Sequence, residues 1–222
     1  MTKEDVCERI AEIGILPSAR VSSADDARYA ADVVYRSGIP VIEITMTVPG
    51  AIGVISNIAR TLPDMIVGAG TVLDRDTAQR CLDAGAKFLT STGLVMEVVD
   101  FALKNEVAVF PGALTPSEVI AAWKAGGDFV KVYPCAQMGG PHYIRALKVP
   151  LPQVKLIATG GVNQQTAANF ILAGAAAVGI GGELMPSEAL RGKNEAWVNE
   201  LARRYQALVK EARAAWAGAR QK

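Results

Sequence analysis

The stretch DFVKVYP at 128–134 sets one lysine, Lys131, inside an otherwise apolar run. An ammonium ion there is expensive to desolvate unless it is paired or gives up its proton. An amine enclosed by apolar walls gives up that proton more readily, and the neutral amine attacks ketones. VIEIT at 41–45 holds the complementary group, the carboxylate of Glu43 between branched apolar residues. Brought together, the two would form a covalent nucleophile with an acid/base beside it. They would equally form a structural ion pair that plugs a core, and residue type alone leaves both readings open.

Whether they meet depends on the elements that carry them. Short apolar runs alternate with amphipathic stretches, and the strand candidates are 15–21, 41–46, 66–70, 88–92, 108–112, 129–134, 155–160 and 177–181. Between them, TPSE at 115–118 is a capping box with Pro116 at the first helical position. DRDTA at 74–78 and NQQTA at 163–167 supply further N-cap residues. Eight strand–helix units predict a parallel sheet closed into a (β/α)8 TIM barrel, a single domain over residues 1–222 with an additional helix at each end. The alternative is an open doubly wound sheet. Its dinucleotide fingerprint is missing, because GAGTVL at 68–73 has Leu73 where the third glycine belongs.

An internal repeat says which side chains share the barrel axis. SGIPVIE, AGAKFLT, AGGDFVK and AGAAAVG each lead from a glycine at a helix C-terminus into a strand. Five residues after Gly38, Gly85, Gly126 and Gly174 stand Glu43, Thr90, Lys131 and Gly179. Barrel interiors fill in layers of four side chains from alternate strands, so these four are expected to point inward together. Ile42, Ile44, Val130 and Val132 then face the helices, as a sheet covered on both faces requires. The spacing thus gives Lys131 a partner in Glu43, with Gly179 leaving space between the walls.

The loops after strands seven and eight often bind phosphate in such barrels. Strand seven ends ATGGV and strand eight GIGGE, so Gly160, Gly161, Gly181 and Gly182 can present bare backbone N–H groups, with a helix expected from about Asn163. Glu183 opposes that reading, since a carboxylate repels a phosphate unless it turns aside. Thr71 in GAGT offers a hydroxyl at the top of strand three. Arg20 closes strand one with the inward parity of Leu16 and Ser18, or serves as a rim arginine in a surface salt bridge.

The bulk composition excludes several classes of function. Net charge is +1 with no basic stripe, which argues against nucleic acid. The longest charge-free span, 156–182, is broken by Asn163, Gln164, Gln165 and Asn169 and does not suit a membrane helix. The start, MTKEDVCER, lacks the apolar core of a secretory signal. Cys7, Cys81 and Cys135 form no CxxC and fit free thiols in the cytoplasm. The single histidine, His142, rules out a His-cluster metal site and reads as an ordinary loop or helix-start residue. Val198, Leu201, Tyr205, Leu208 and Ala212 make a stripe for packing the last helix on the barrel or on a partner.

Taken in order, VIEIT, VGAGTVL, FPGALTPSE, FVKVYP, ATGGVN and GIGG resemble the 2-keto-3-deoxy-6-phosphogluconate (KDPG) aldolase family, which also covers 4-hydroxy-2-oxoglutarate (KHG) cleavage. The resemblance spans about 15–185. It implies a cytoplasmic, homotrimeric class I aldolase of the Entner–Doudoroff pathway that uses no metal or cofactor. The implied substrate is 2-dehydro-3-deoxy-6-phosphogluconate, split to pyruvate and glyceraldehyde 3-phosphate. 4-Hydroxy-2-oxoglutarate is a second substrate and 2-dehydro-3-deoxy-6-phosphogalactonate an alternative. The resemblance puts the Schiff base on Lys131, the acid/base on Glu43, pyruvate contacts on Thr71 and phosphate contacts on the four glycines, and Thr159 and Thr47 complete the expected substrate-binding set. Three places depart from the family pattern. Thr47 stands where enterobacterial members carry a carboxylate-binding arginine, Glu183 replaces a serine, and Ser91-Thr92-Gly93 replaces Ser-Pro-Gly. Arg20, on the neighbouring strand, is expected to fill the space of the missing arginine. Two rivals stay open on the residues alone: a phosphate-binding barrel enzyme such as an epimerase or thiamine-phosphate synthase in which Lys131 never becomes covalent, and a non-catalytic phospholigand binder.

Overall fold

Each apolar run becomes a parallel strand, and the amphipathic stretch after it returns the chain along the outside. The computed structural model describes residues 1–219. In chain order the elements are α1 (Lys3–Ile13), β1 (Ile15–Ala19), α2 (Ala24–Arg36), β2 (Val41–Thr45), α3 (Ala51–Thr61), β3 (Ile66–Gly70), α4 (Arg75–Asp83), β4 (Phe88–Thr90) and α5 (Met96–Lys104). There follow β5 (Ala108–Phe110), β6 (Gly112–Ala113), α6 (Pro116–Lys124), β7 (Val130–Val132), α7 (Pro141–Lys148), β8 (Leu156–Thr159), α8 (Ala167–Leu172), β9 (Ala177–Ile180), α9 (Ser187–Arg191) and α10 (Glu195–Ala219).

The sheet runs β5-β4-β3-β2-β1-β9-β8-β7-β6. Its edges, β5 and β6, are separated in sequence by Pro111 alone, so the nine segments occupy eight barrel positions and the ring is nearly closed. The expected single strand over 108–112 is split because proline has no N–H for the ladder. Its carbonyl still accepts from the Lys131 backbone N–H at 2.9 Å, which ties the seam to β7. The strand expected over 66–70 is found at those bounds, and the remaining expected strands end one or more residues early on their C-terminal side. Arg20, Thr92, Tyr133, Gly160 and Gly181 peel away there and build the rim of the barrel mouth.

The repeat behaves as its spacing requires. Gly38, Gly85, Gly126 and Gly174 have φ of 84°, 98°, 101° and 101°, a left-handed conformation in which a side chain would be strained. Glu43, Thr90 and Lys131 are buried inside the ring, while Ile42, Ile44, Val130 and Val132 belong to the apolar core. Beneath the inward layer, Phe88 stacks on Phe110 at 5.2 Å and Phe129 meets Phe110 edge-on at 5.1 Å. These rings make an apolar floor under the charged pair. Gly68 gives them room, since a Cβ there would lie 2.3 Å from the Phe88 ring.

Local signals start the helices. Thr115 and Glu118 form the full capping box with Pro116 in the first turn, and Asp74 caps α4. Asn163 accepts from the N–H groups of Gln165 and Thr166, and α8 then opens at Ala167, later than the start near 163 read from the sequence. Two turns of Gly160–Gly161 and Asn163 intervene between strand and helix. His142 is an exposed residue at the start of α7. The stripe of α10 packs against α8 and α2, burying Val198, Leu201, Tyr205 and Ala212, which assigns it to the barrel. No helix among the described residues is long and apolar enough to cross a membrane.

Candidate active site

Lys131 and Glu43 meet across the barrel axis. Nζ donates to Glu43 Oε2 at 3.0 Å and Oε1 at 3.2 Å, with relative exposures of 5% for the lysine and 1% for the glutamate. Two hydroxyls complete the cluster. Ser18 Oγ donates to Oε1 and Thr90 Oγ1 to Oε2, each at 2.7 Å, and Thr90 Oγ1 also accepts from Nζ at 3.2 Å. Gly70, at the top of β3, makes the carboxylate position possible, because a Cβ there would lie 2.3 Å from Oε1. Burial pushes the Glu43 carboxyl toward the neutral form, but the Lys131 charge and the bonds from Ser18, Thr90 and Lys131 outweigh it. They hold the group below the ordinary carboxylate range.

Above the pair, the mouth opens into a cavity of about 350 Å³ whose walls include Arg20, Lys131, Tyr133, Thr159, the four loop glycines and Glu183. Arg20 reaches over from β1 to donate to Thr47 Oγ1 at 3.2 Å and Thr71 Oγ1 at 3.3 Å. Its described partners are neutral hydroxyls, so the guanidinium keeps its charge available to an anion. Thr47 and Thr71 thus bear on the cavity through Arg20, and Thr71 is held at φ 60°, unusual for a non-glycine residue. Thr47 is further fixed by Thr45 Oγ1 at 2.8 Å. Thr159 Oγ1 is buried without a hydrogen-bond partner, on the cavity wall, and Gly179 gives it space: a Cβ there would lie 2.4 Å away. The glycine turn after β8 is left-handed at Gly160 and Gly161, with φ of 88° and 79°.

The model of the KDPG and KHG aldolase family matches residues 6–201. The chain belongs to this family. It is a class I pyruvate aldolase, an aldehyde-lyase. A 2-dehydro-3-deoxy-phosphogluconate aldolase of Pseudomonas aeruginosa is 32% identical over 160 residues, which are 72% of this chain and 73% of that one. A KHG/KDPG aldolase of Escherichia coli K12 is 30% identical over 190 residues, 85% of this chain and 89% of its own. A KDPG aldolase of Legionella pneumophila, solved with pyruvate captured as a covalent carbinolamine, superposes with a TM-score of 0.81 at 30% identity, over 89% of this chain and 96% of that one.

In this aldolase the structure brings together Lys131, Glu43, Arg20, Thr159 and the glycines Gly160, Gly161, Gly181 and Gly182 around one cavity. Ser18, Thr92, Tyr133 and Val162 also line it or touch the pair, and sequence reasoning gave them no role. Ser18 was within reach of the inward parity that singled out Arg20. Thr90 was expected in the layer, yet nothing in its spacing says that its hydroxyl bridges amine and carboxylate.

Proposed function

We propose that the aldolase cleaves a 2-keto-4-hydroxy acid through an imine on Lys131, with Glu43 as the acid/base and Arg20 holding the substrate carboxylate. The observation that carries this reading is a lysine amine 3.0 Å from a buried carboxylate, over an apolar floor and opening into a cavity that also holds an arginine. Lys131 Nζ attacks the C2 ketone as Glu43 takes its proton, and Glu43 returns that proton to the carbinolamine hydroxyl, which leaves as water and gives an iminium beside a restored carboxylate. The C4 hydroxyl then gives its proton to Glu43 while the C3–C4 electrons flow to the iminium nitrogen. The aldehyde departs, Glu43 returns the proton to C3 of the enamine, and water releases pyruvate and the free amine. Acid/base assistance of this kind is worth about 10²–10⁴ in rate.

The first substrate to test is 2-dehydro-3-deoxy-6-phosphogluconate, following the names of the relatives, with the N–H groups of the two glycine loops toward its phosphate. Glu183 on the cavity wall opposes a phosphate there, which makes 4-hydroxy-2-oxoglutarate, an acid with no phosphate, the second substrate to test. The family resemblance also supports a cytoplasmic homotrimer. Incubation with pyruvate and borohydride should add one reduced pyruvate per chain, and none in Lys131→Ala. Pyruvate release should then be measured for both acids and for 2-dehydro-3-deoxy-6-phosphogalactonate. An adduct that survives in Lys131→Ala would place the nucleophile elsewhere.

A further inference from the structure

The reaction changes Lys131 in a way that the resting ion pair does not survive. As an ammonium, Nζ offers three hydrogens, enough for its contacts to both Glu43 oxygens and to Thr90. As an iminium nitrogen it carries one. At most one of the three contacts can then persist, at the stage when Glu43 must stand in place to move protons. A buried carboxylate that loses its main partner is either neutralised or displaced.

We propose that Ser18 and Thr90 are positioning residues that clamp the Glu43 carboxylate in place once Lys131 has become an imine. The inference rests on the reading of Lys131 and Glu43 given above. Each carboxylate oxygen has its own hydroxyl donor at 2.7 Å, Ser18 on Oε1 from β1 and Thr90 on Oε2 from β4, and neither bond involves Nζ. β3 contributes only Gly70 beside Oε1, so no third side chain competes for that oxygen from this side. Lys131 from β7 is the charged group that faces Glu43, and its other partners are neutral. A hydroxyl both donates and accepts. When Glu43 picks up a proton, the neighbouring hydroxyl can rotate and accept from it, so the clamp serves both protonation states without moving the side chain.

The test isolates proton transfer from aldol cleavage. With pyruvate alone, the iminium exchanges its methyl hydrogens with deuterated solvent, Glu43 taking a proton from C3 and returning a deuteron. Ser18→Ala and Thr90→Val should trap a full complement of pyruvate with borohydride at saturation, yet exchange it about tenfold to hundredfold more slowly, the range for a lost bond to a charged group. The acid limb of the exchange rate should move to higher pH, because a carboxylate with fewer donors is protonated more easily. Thr90→Ser, which keeps the hydroxyl, should restore most of the rate. If Thr90→Val fails to fold, Ser18→Ala gives the same reading through its own bond to Oε1, with Thr90→Ser as the control that keeps both hydroxyls. Unchanged exchange and an unchanged acid limb in hydroxyl-free variants that still trap pyruvate would overturn the clamp and leave the imine standing. A wild-type chain that traps no pyruvate would overturn both.

Discussion

At the residue scale, Arg20 puts a guanidinium on the wall of the cavity above Lys131. Its guanidinium is held between Thr47 and Thr71 at 3.2 and 3.3 Å, so two hydroxyls from neighbouring strands support it at the barrel mouth. Losing a charge-assisted contact to the substrate carboxylate costs about 1.5–3 kcal/mol, so Arg20→Met should lower kcat/KM about tenfold to hundredfold on the best substrate. Unchanged kinetics would make Arg20 a rim residue. Glu43→Gln should lose turnover by roughly 10² or more while still forming the pyruvate adduct. It should also change the response of stability to acid. The Glu43 carboxyl sits below its ordinary value of 4.5 in the fold, so its stabilising contribution is complete above about pH 4.5 and fades as pH falls through the lower folded value. Urea midpoints of wild type and Glu43→Gln should therefore differ most near neutrality and converge in acid. Parallel pH dependences would rule out that linkage.

At the scale of elements, β3 shows how two glycines in a strand, Gly68 and Gly70, make room for side chains from its neighbours. Gly70 pairs with Thr45 in the β2–β3 register and leaves the volume that the Glu43 carboxylate fills. Gly70→Ala should disable the enzyme about as far as Glu43→Gln does, by driving the carboxylate off the Lys131–Thr90 line. Retained activity together with a fold unchanged by circular dichroism would contradict this. The capping box of α6 offers a contrast, since it lies at an exposed helix start. Thr115→Ala should cost about 1 kcal/mol of stability, read as a lower unfolding midpoint.

At the scale of the whole molecule, packing of the outer layer onto the barrel buries all three thiols. Cys7, Cys81 and Cys135 are free and buried, and burial pushes their thiols up to about 12, 11 and 12. The native protein should give almost no reaction with a thiol reagent at neutral pH, and three equivalents per chain after unfolding. Rapid labelling without denaturant would mean that the barrel opens locally. Sedimentation at micromolar concentration tests the proposed trimer, with a monomer mass as the outcome against it.

Much of this was legible in the sequence because it repeats there. A glycine five residues ahead of Glu43, Thr90, Lys131 and Gly179 put four positions, three of them with side chains, in one layer, since strand periodicity is two and a helix C-cap sets its phase. The lysine–glutamate pair follows from that local arithmetic, and the barrel from the eight alternating strand–helix units. Other features arise only when strands far apart in sequence close into a ring. The break at Pro111 reflects a ladder contact that only a neighbouring strand would make. The hydroxyls of Ser18 and Thr90 converge on one carboxylate from strands β1 and β4, and Arg20 reaches Thr47 and Thr71 across two loops. Such side chains are short or flexible, and their partners are chosen by distances of a few ångströms across the barrel mouth. Sequence spacing constrains direction along a strand, whereas those distances depend on how the strands tilt and stagger when the barrel closes.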